Sequence, residues 1–324
     1  MTVFIIRRLL QSTIIIVTMS ILVFVAIYLI GNPIDILVNP EASQEEIQQI
    51  IRNMGLDRPL WEQFFHFFVN ALQGDLGASY VFGSPAIELI FHRMPATLEL
   101  AAAAMLIGIV IGVPLGIFAG LNPEAASSRT IMAGSILGFS LPTFWIGMMM
   151  ILAFGVNLNW LPTGGRGDTA SFFGVEFSFL TLDGLSHLIL PAFNLALFKL
   201  ALVIRLTRAG TLEVIHQDYV KFARAKGLTD QRVLFVHVLK NVLIPVVTVL
   251  GLEFGNIVAF AVVTETVFAW PGMGKLIIDS MEVLDRPVIV AYLMVVVFMF
   301  ILINLVVDIL YSILDPRIRL REVR

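Results

Sequence analysis

The stretch Tyr219-Val-Lys-Phe-Ala-Arg-Ala-Lys-Gly-Leu228 is a basic and partly apolar segment between two long hydrophobic parts of the chain. It belongs to a polar region, residues 205–240, in which seven Lys and Arg residues are interleaved with apolar side chains. Gly227 can end one short helix, and Thr229 or Asp230 can cap the next. The pattern therefore predicts two short amphipathic helices that meet at a bend. Such an element suits an anchor on anionic lipid or a docking site for another protein, and composition alone favours lipid.

The hydrophobic parts on either side reflect the composition of the whole chain. Of its 324 residues, 58% are hydrophobic and 14% are charged, and the mean hydropathy is +0.91. Soluble globular proteins carry about 25% charged residues, so the composition predicts an integral membrane protein and excludes a soluble enzyme. The net charge of -3 argues against a nucleic-acid partner. The absence of cysteine excludes disulfides and thiol catalysis.

Six segments are long and apolar enough to cross a membrane as helices, which takes about 20 residues each. Their approximate bounds are residues 9–30, 97–121, 130–156, 187–206, 241–267 and 287–312. Arg7 and Arg8 precede the first segment, which has no small-residue cleavage site and is typical of a retained anchor. The expected fold is all-α, with an anchor helix in 1–30, an extracytoplasmic helical insertion in 31–96, a five-helix core in 97–312 and a cytoplasmic tail in 313–324.

Lys and Arg residues are distributed unequally between the two sides that these spans define. With a cytoplasmic N-terminus, 14 of the 21 Lys and Arg residues fall on the cytoplasmic side, 6 fall on the outer side, and Lys199 lies within a span. Positive residues concentrate on the cytoplasmic side of membrane proteins. The distribution predicts that both termini and residues 205–240 are cytoplasmic.

The two longer outer segments differ in their expected structure. In residues 31–96, Ser43 and Glu46 form a capping-box pattern ahead of one helix, and an aromatic-rich helix follows Pro59. Residues 157–186 are rich in Pro and Gly and are typical of a loop, a candidate cap over an outer opening.

Four glycines recur every four residues in the second span, at Gly108, Gly112, Gly116 and Gly120. Residues at this spacing lie on one helix face, and glycine lets a neighbouring helix approach closely. The stripe predicts helix packing. Packing within one subunit and a face that slides during gating both fit this pattern.

Ionisable residues within the spans are candidates for functional sites because charge is costly in lipid. Lys199 lies deepest, and Glu253 and Asp308 on later spans are acids able to pair with it. An ion pair between helices is favoured over contact with a transported solute, since a buried charge needs a partner. Glu99 and Glu265 lie near the predicted outer ends and carry less weight.

The quoted stretch, together with Arg232, His237 and Asn241, resembles the coupling loop of ABC importer permeases of the dipeptide, oligopeptide and nickel branch. The resemblance covers nearly the whole chain, and it is closest to the first, B-type, permease subunit of dipeptide systems. The other matching motifs are Arg7-Arg-Leu9, Gly55-Leu-Asp-Arg-Pro-Leu60, Gly74-Asp-Leu-Gly77, Thr97-Leu-Glu-Leu100, Leu141-Pro-Thr-Phe-Trp145, Thr264-Glu-Thr266, Trp270-Pro-Gly272 and Asp315-Pro-Arg-Ile-Arg319.

The chain departs from the family pattern at several positions. Lys221-Phe-Ala223 stands where the general importer loop has Glu-Ala-Ala, and Lys240 replaces an expected proline. Both departures are familiar in this branch and bear on which ATPase partner fits. Asn32 stands where the branch usually has an acid, and Lys199 is not part of the branch pattern.

The resemblance implies a type I ABC importer permease fold in the prokaryotic cytoplasmic (inner) membrane, with a coupling loop in residues 205–240. It implies a second permease subunit, two ATP-binding subunits, an extracytoplasmic substrate-binding protein and surrounding membrane lipid as partners. It assigns coupling to the ATPase to Tyr219, Ala223, Arg224, Ala225, Lys226, Gly227, Leu228 and Arg232.

No cofactor, catalytic residue or metal ligand is expected in this chain. A phosphate-binding loop needs the spacing Gly-x-x-x-x-Gly-Lys-Ser/Thr. The nearest candidate, Gly272-Met-Gly-Lys275, lacks the first glycine and the hydroxyl residue. ATP and Mg²⁺ are therefore expected on the partner subunits.

Peptide is the favoured solute, and nickel, glutathione and opine-like solutes are alternatives within the same branch. An ATP-independent channel or secondary carrier would predict inverted repeats, and the sequence has no clear internal repeat. An intramembrane hydrolase would need a catalytic spacing around Ser135, Ser140 or His187, which the sequence lacks.

Overall fold

The computed structural model describes residues 2–29, 43–53 and 57–314. Within these ranges the chain forms helices and one small hairpin. The helices are α1 Thr2–Leu29, α2 Gln44–Asn53, α3 Leu60–Leu72, α4 Ala86–Leu121, α5 Ala126–Ser140, α6 Thr143–Met150, α7 Leu182–Ile215, α8 Asp218–Ala225, α9 Asp230–Arg232, α10 Leu239–Val267, α11 Met273–Glu282 and α12 Arg286–Leu314. The strands are β1 Ala170–Phe172 and β2 Val175–Phe177, and π-helical turns at Ile151–Asn157 and Val233–Val238 follow α6 and α9.

Four of the six predicted spans are matched by long apolar helices in the described residues, and a fifth is matched by a bent pair of helices. In the described part of the chain, four helical stretches are long and apolar enough to cross a membrane: Ala86–Leu121, Leu182–Ile215, Asp230–Val267 and Arg286–Val307. The bent pair α5 and α6, with its π-helical turn, makes a fifth span if it is counted as one. Helix α1 contains a shorter apolar stretch, Leu10–Ala26. The predicted membrane-spanning, helical fold is confirmed.

The prediction of one unbroken helix over residues 130–156 is wrong. Helix α5 ends at Ser140, Leu141 and Pro142 are extended, and α6 begins at Thr143. The two helical segments lie 104° apart. Proline lacks the backbone N–H that continues a helix, and it forces the preceding residue, Leu141, away from helical geometry.

Two other spans begin earlier than the sequence analysis placed them. Helix α4 begins at Ala86 rather than Thr97, within the segment assigned to the outer insertion. Helix α7 begins at Leu182 rather than His187, because the Thr181 side chain accepts a hydrogen bond from Gly184 N and caps the helix. Both helices therefore extend beyond the apolar stretch that defined the predicted span.

Residues 157–186, expected to be a loop, contain a two-stranded β-hairpin, and the fold class remains all-α. Ala170 pairs with Phe177 and Phe172 with Val175 in antiparallel register. The turn residues Phe173 and Gly174 have φ angles of +52° and +80°. Two positive φ angles form the tight turn that matches the twist of a hairpin. Asn-Gly is the usual sequence of such a turn, and Phe-Gly predicts a hairpin less strongly.

The chain divides into two compact units, Met1–Met94 with Gly272–Leu302 and Pro95–Pro271 with Ile303–Arg324. In the first unit, the Phe24 ring of α1 meets the Phe64 ring of α3 edge-on, with centroids 5.4 Å apart. The predicted capping box is formed, since Ser43 N donates to Glu46 Oε2 at 2.8 Å and Glu46 N donates to Ser43 Oγ at 3.3 Å.

The loop before α4 is held within the first unit by Asp285, which directly precedes α12. Its buried carboxylate accepts hydrogen bonds from Ser79 Oγ and, at 3.1 Å, from Tyr80 N. Burial raises the pKa of the Tyr80 phenol, Arg286 partly opposes this rise, and Asp285 adds to it. The carboxylate thus fixes the turn that leads into α4.

In the second unit, α7 packs against the glycine face of α4. A Cβ atom added at Gly112 would lie 2.8 Å from Val203 Cγ1, and one at Gly116 would lie 2.6 Å from Thr207 Cβ. The corresponding atom at Gly120 would lie 2.6 Å from Thr211 Cβ, whereas at Gly108 it would meet no atom within 4 Å. Contacts under 3.0 Å leave no room for a side chain, so three of the four glycines lie at a close helix contact.

Candidate functional site

The bend between α8 and α9 is closed by a complete Schellman motif. Gly227 has φ +77°, a conformation that glycine adopts without strain. Gly227 N donates to the Arg224 carbonyl at 2.9 Å, and Leu228 N donates to the Ala223 carbonyl at 3.4 Å. These two bonds satisfy carbonyl groups that the end of α8 would otherwise leave unpaired. The local sequence therefore fixes where α8 stops.

The next helix begins directly after this motif. The Thr229 side chain accepts a hydrogen bond from Arg232 N at 3.4 Å. Of the two capping residues that the sequence allowed, Thr229 is the N-cap and Asp230 is the first helical residue. An acid in the first turn is favourable because it faces the positive end of the helix dipole. The predicted pair of short helices at a bend is present.

One side of the bend is anchored in the hydrophobic core of its unit. Val220 and Ala223 of α8 are buried and belong to a cluster with Val233, Val238 and Val242. This cluster joins α8 to the π-helical turn and to the start of α10. The bend is thus a packed part of the unit rather than a free loop.

The opposite side of the bend is exposed and carries aromatic and basic side chains. Tyr219 is 43% exposed and Phe222 is 61% exposed. Partial burial raises the pKa of the Tyr219 phenol above its ordinary value. Six of the eight residues assigned to ATPase coupling are exposed: Tyr219, Arg224, Ala225, Lys226, Gly227 and Arg232.

The other two assigned residues do not lie on that surface, and two exposed aromatic side chains lie close to the assigned residues in sequence. Ala223 is buried and Leu228 is half-buried, so both support the surface from behind. Phe222 and Phe235, which is 63% exposed, were not among the assigned residues. The sequence does show aromatic residues within a basic segment, and aromatic residues are enriched at binding surfaces.

Among the described residues, Lys221, Arg224 and Lys226 of this surface make exposed contacts. Lys221 Nζ lies 3.1 Å from Asp218 Oδ1, and Arg224 Nε lies 4.0 Å from Asp230 Oδ1. Lys226 Nζ lies 4.6 Å from the centroid of the Phe222 ring. Exposed pairs of this kind contribute about 0–1 kcal/mol, so a partner can replace them at little cost.

Deep in the spans, Lys199 of α7 pairs with Glu253 of α10. Lys199 Nζ donates to Glu253 Oε2, and the two side chains are 12% and 22% exposed. The pair borders a cavity of about 460 Å³ within the second unit. The side chain of Asp308, the other acid that could pair with Lys199, lies outside the described part of the structure.

Glu99, to which the sequence gave little weight, is a buried hub of hydrogen bonds. Its Oε2 accepts from Arg166 Nη2 at 2.7 Å and from Nε at 3.2 Å. Its Oε1 accepts from Ser178 N, Ser178 Oγ and Phe179 N at 2.7–2.8 Å. Arg166 and Ser178 flank the hairpin, so one carboxylate ties both ends of the hairpin to α4. Sequence reasoning missed this role because the partners lie far away along the chain.

Glu265 is also buried and makes a second polar contact in the same unit. Its carboxylate accepts a hydrogen bond from Thr97 Oγ1 at 2.7 Å, which links α10 to α4. Nearby, Trp270 Nε1 donates to the Ala96 carbonyl at 2.9 Å. Both contacts fix the start of the Thr97–Leu100 motif against the end of α10.

Known protein families match almost the entire chain. Residues 112–320 match the family described as binding-protein-dependent transport system inner membrane component. Residues 1–101 match the N-terminal region of the membrane component of the same transport systems. The predicted family is therefore confirmed on both parts of the chain.

Two curated relatives match over nearly their full length. The dipeptide transport system permease protein DppB of Escherichia coli K12 is 37% identical, over 98% of this chain and 98% of its own. The oligopeptide transport system permease protein AppB of Bacillus subtilis is 40% identical, over 98% of this chain and 99% of its own.

The fold is also similar to a solved structure. An inward-facing form of the MetNI methionine ABC transporter matches with a TM-score of 0.53 at 17% identity, over 70% of this chain and 96% of the other. That likeness concerns the fold alone. The family matches and the full-length relatives support one conclusion: the chain belongs to the inner membrane components of binding-protein-dependent transport systems and is a permease subunit of an ATP-binding cassette importer.

Proposed function

We propose that this permease subunit imports peptides and that its α8–α9 bend transmits conformational changes from an ATPase subunit. The observation that carries the coupling role is the two-sided structure of the bend. Its inner side is packed in the core through Val220 and Ala223, and its outer side exposes Tyr219 and Phe222. A surface with a rigid base transmits displacement into α7 and α10, whereas a free loop would absorb it.

For the bend to drive transport, it must bind two states of the ATPase with different affinity. A contact of equal strength in both states shifts no equilibrium, however tight it is. We propose that Tyr219, Arg224, Ala225, Lys226, Gly227 and Arg232 contact the ATPase directly. In this proposal Ala223 and Leu228 hold the bend in shape, and Phe222 joins the contact surface.

The partners follow from the same proposal. The chain forms half of the translocation pathway with a second, non-identical permease subunit, above two ATP-binding subunits. ATP and Mg²⁺ are bound by those two subunits. Solute is received from an extracytoplasmic substrate-binding protein. Both termini and the bend face the cytoplasm, and the excess of Lys and Arg on that side supports this orientation.

Peptide is proposed as the solute because both full-length relatives are named as peptide permeases. The dipeptide relative and the oligopeptide relative are 37% and 40% identical over 98% of this chain. In this proposal, the extracytoplasmic binding protein does much of the selection among peptides of different length. A dipeptide is the first solute to test.

Reconstitution in vesicles tests this function. We expect the tagged chain to co-purify from its source cells with a second permease and with ATPase subunits. Vesicles containing that complex should import labelled dipeptide only when ATP is on the ATPase side and the binding protein is on the other. Solute uptake by the isolated chain without ATP would contradict the proposal.

A further inference from the structure

The Lys199–Glu253 pair lies on a face of α7 and α10 that does not suit lipid. Both side chains are partly exposed, at 12% and 22%, although both helices are membrane spans. Charged groups in the hydrocarbon core are costly and face the protein interior or a water-filled cavity. This face therefore borders a passage or another protein surface.

The pair leaves hydrogen-bonding capacity unused. In the described part of the chain, Lys199 Nζ donates one hydrogen bond, to Glu253, and lies 5.1 Å from the centroid of the Phe198 ring. An ammonium group has three N–H donors and a carboxylate has two acceptor oxygens. Two donors of Lys199 and the Oε1 atom of Glu253 thus remain for a ligand. Because both side chains are partly exposed and line the cavity, these groups are accessible to a ligand in it.

The cavity beside the pair has the size and chemistry of a small-ligand site. Its volume of about 460 Å³ falls within the range of about 300–1,000 Å³ that is typical of ligand pockets. Beyond the two charges, its lining supplies the Asn256 amide, the Thr264 hydroxyl and the ring of Phe260, which is 74% exposed. The cavity thus combines one charge of each sign with neutral polar groups and an aromatic wall.

We propose that Lys199 and Glu253 form a transient site for the two charged ends of a peptide during its passage. The Lys199 ammonium receives the peptide carboxylate, and the Glu253 carboxylate receives the α-ammonium group. The inference rests on the proposed peptide import and adds the groups that recognise the solute. It explains why a lysine outside the branch pattern is placed in a span.

The exchange is electrically balanced, which makes it feasible in a membrane protein. One internal ion pair opens and two ion pairs form, so no charge is left without a partner. A peptide with one blocked end would form one ion pair in place of the one that opens and would leave Lys199 or Glu253 without a charged partner, which is unfavourable. The site therefore selects solutes that carry both charges.

Binding to the complete complex without the binding protein tests the proposal and separates it from selection by that partner. The complex in nanodiscs is mixed with Ala-Ala, with Ala-Ala amide or with N-acetyl-Ala-Ala, and ligand contact is followed by saturation-transfer NMR. We expect Ala-Ala to bind about tenfold more tightly than either blocked peptide, the factor that one charge-assisted hydrogen bond contributes. In the K199M/E253Q double variant, the affinity for Ala-Ala should fall to the affinity for the blocked peptides.

The matched control is K275M/D279N, which removes an ion pair of the same chemistry on α11, with Nζ and Oδ1 2.8 Å apart. This variant should still bind Ala-Ala more tightly than the two blocked peptides, as the parent does. Equal binding of all three peptides to the parent, or an unchanged preference in K199M/E253Q, would overturn the inference. If the double variant fails to assemble, the comparison of the three peptides on the parent decides alone. Failure of ATP-driven uptake in vesicles would instead reject the proposed function.

Discussion

Gly227 is the residue on which the shape of the α8–α9 bend, the proposed ATPase contact, depends. Its φ of +77° lies in the left-handed region, where a residue with a Cβ atom loses about 1–2 kcal/mol and a β-branched residue is a clear outlier. We expect Gly227→Val to distort the bend and to lower peptide import about fivefold to thirtyfold relative to ATP hydrolysis, the factor that such an energy represents. Parallel assays of transport and ATPase activity in vesicles measure the ratio.

Two control variants separate the bend from backbone strain in general. Gly227→Asn should retain most coupling, because asparagine tolerates the left-handed conformation. Gly83→Val introduces similar strain at φ +65°, in a turn outside the bend, and should leave the ratio unchanged. Import at the parental rate by an intact Gly227→Val complex would refute the coupling role of this residue.

Glu99 is the residue that holds the β1–β2 hairpin in place. Its carboxylate is buried and accepts five hydrogen bonds, two of them from the Arg166 guanidinium. Glutamine at position 99 has one acceptor oxygen and an NH₂ group that would face other donors. We expect Glu99→Gln to destabilise the subunit by about 3 kcal/mol, because it leaves the partly buried Arg166 without its counter-charge. Thermal unfolding of the purified complex measures the change.

Glu176 provides the comparison for this prediction, since it is a carboxylate of the same hairpin. Its side chain is exposed and accepts from Thr169 Oγ1 at 2.7 Å. Glu176→Gln should change stability by less than about 0.5 kcal/mol, as is usual for surface positions. Equal effects of the two substitutions would mean that burial of Glu99 contributes nothing.

At the scale of elements, the contact between α4 and α7 depends on three glycines that admit no side chain. A Cβ atom at Gly116 would lie 2.6 Å from Thr207 Cβ and 2.8 Å from the Ile204 carbonyl oxygen. Gly116→Ala should therefore separate the helices and cost about 1–3 kcal/mol, the usual cost of overpacking. Thermal unfolding in detergent tests this, with an accompanying loss of import if the contact moves during transport.

Gly108 offers a matched substitution on the same stripe. An added methyl group there would meet no atom within 4 Å, so Gly108→Ala should be neutral or stabilising by up to about 1 kcal/mol. If Gly108→Ala were as harmful as Gly116→Ala, the stripe would act through helix propensity or through another subunit. Comparing the two variants thus shows whether the stripe acts through close contact between α4 and α7.

Elements set by local signals were predictable from the sequence, and those set by distant contacts were not. Gly227 and Thr229 mark the bend because a left-handed turn and a helix cap depend on a few neighbouring residues. Pro142 carried a local signal for the break between α5 and α6, but the apolar run around it outweighed that signal. The hairpin and its attachment to Glu99 depend on Arg166 and Ser178, and no local pattern links residues so far apart.

At the scale of the whole molecule, the proposed solute contact and the proposed ATPase contact lie at different places in the chain. The Lys199–Glu253 pair lies between α7 and α10, the same two helices that flank the α8–α9 bend in sequence. A displacement at the bend therefore reaches the ion pair through two continuous helical elements. Under the proposed function, an ATPase movement at the bend would open or close the pair along this path.

The orientation of the chain can be tested by site-specific labelling, because residues 1–324 contain no cysteine. Phe173 is 92% exposed at the hairpin turn, and Phe222 is 61% exposed on the bend. In intact cells or spheroplasts, an impermeant maleimide should label Phe173→Cys directly and should label Phe222→Cys only after permeabilisation. Binding of the ATPase should then protect Cys at position 222 and leave position 173 reactive. The reverse accessibility would place the bend outside, where no ATP-driven subunit could reach it, and would refute the proposed coupling.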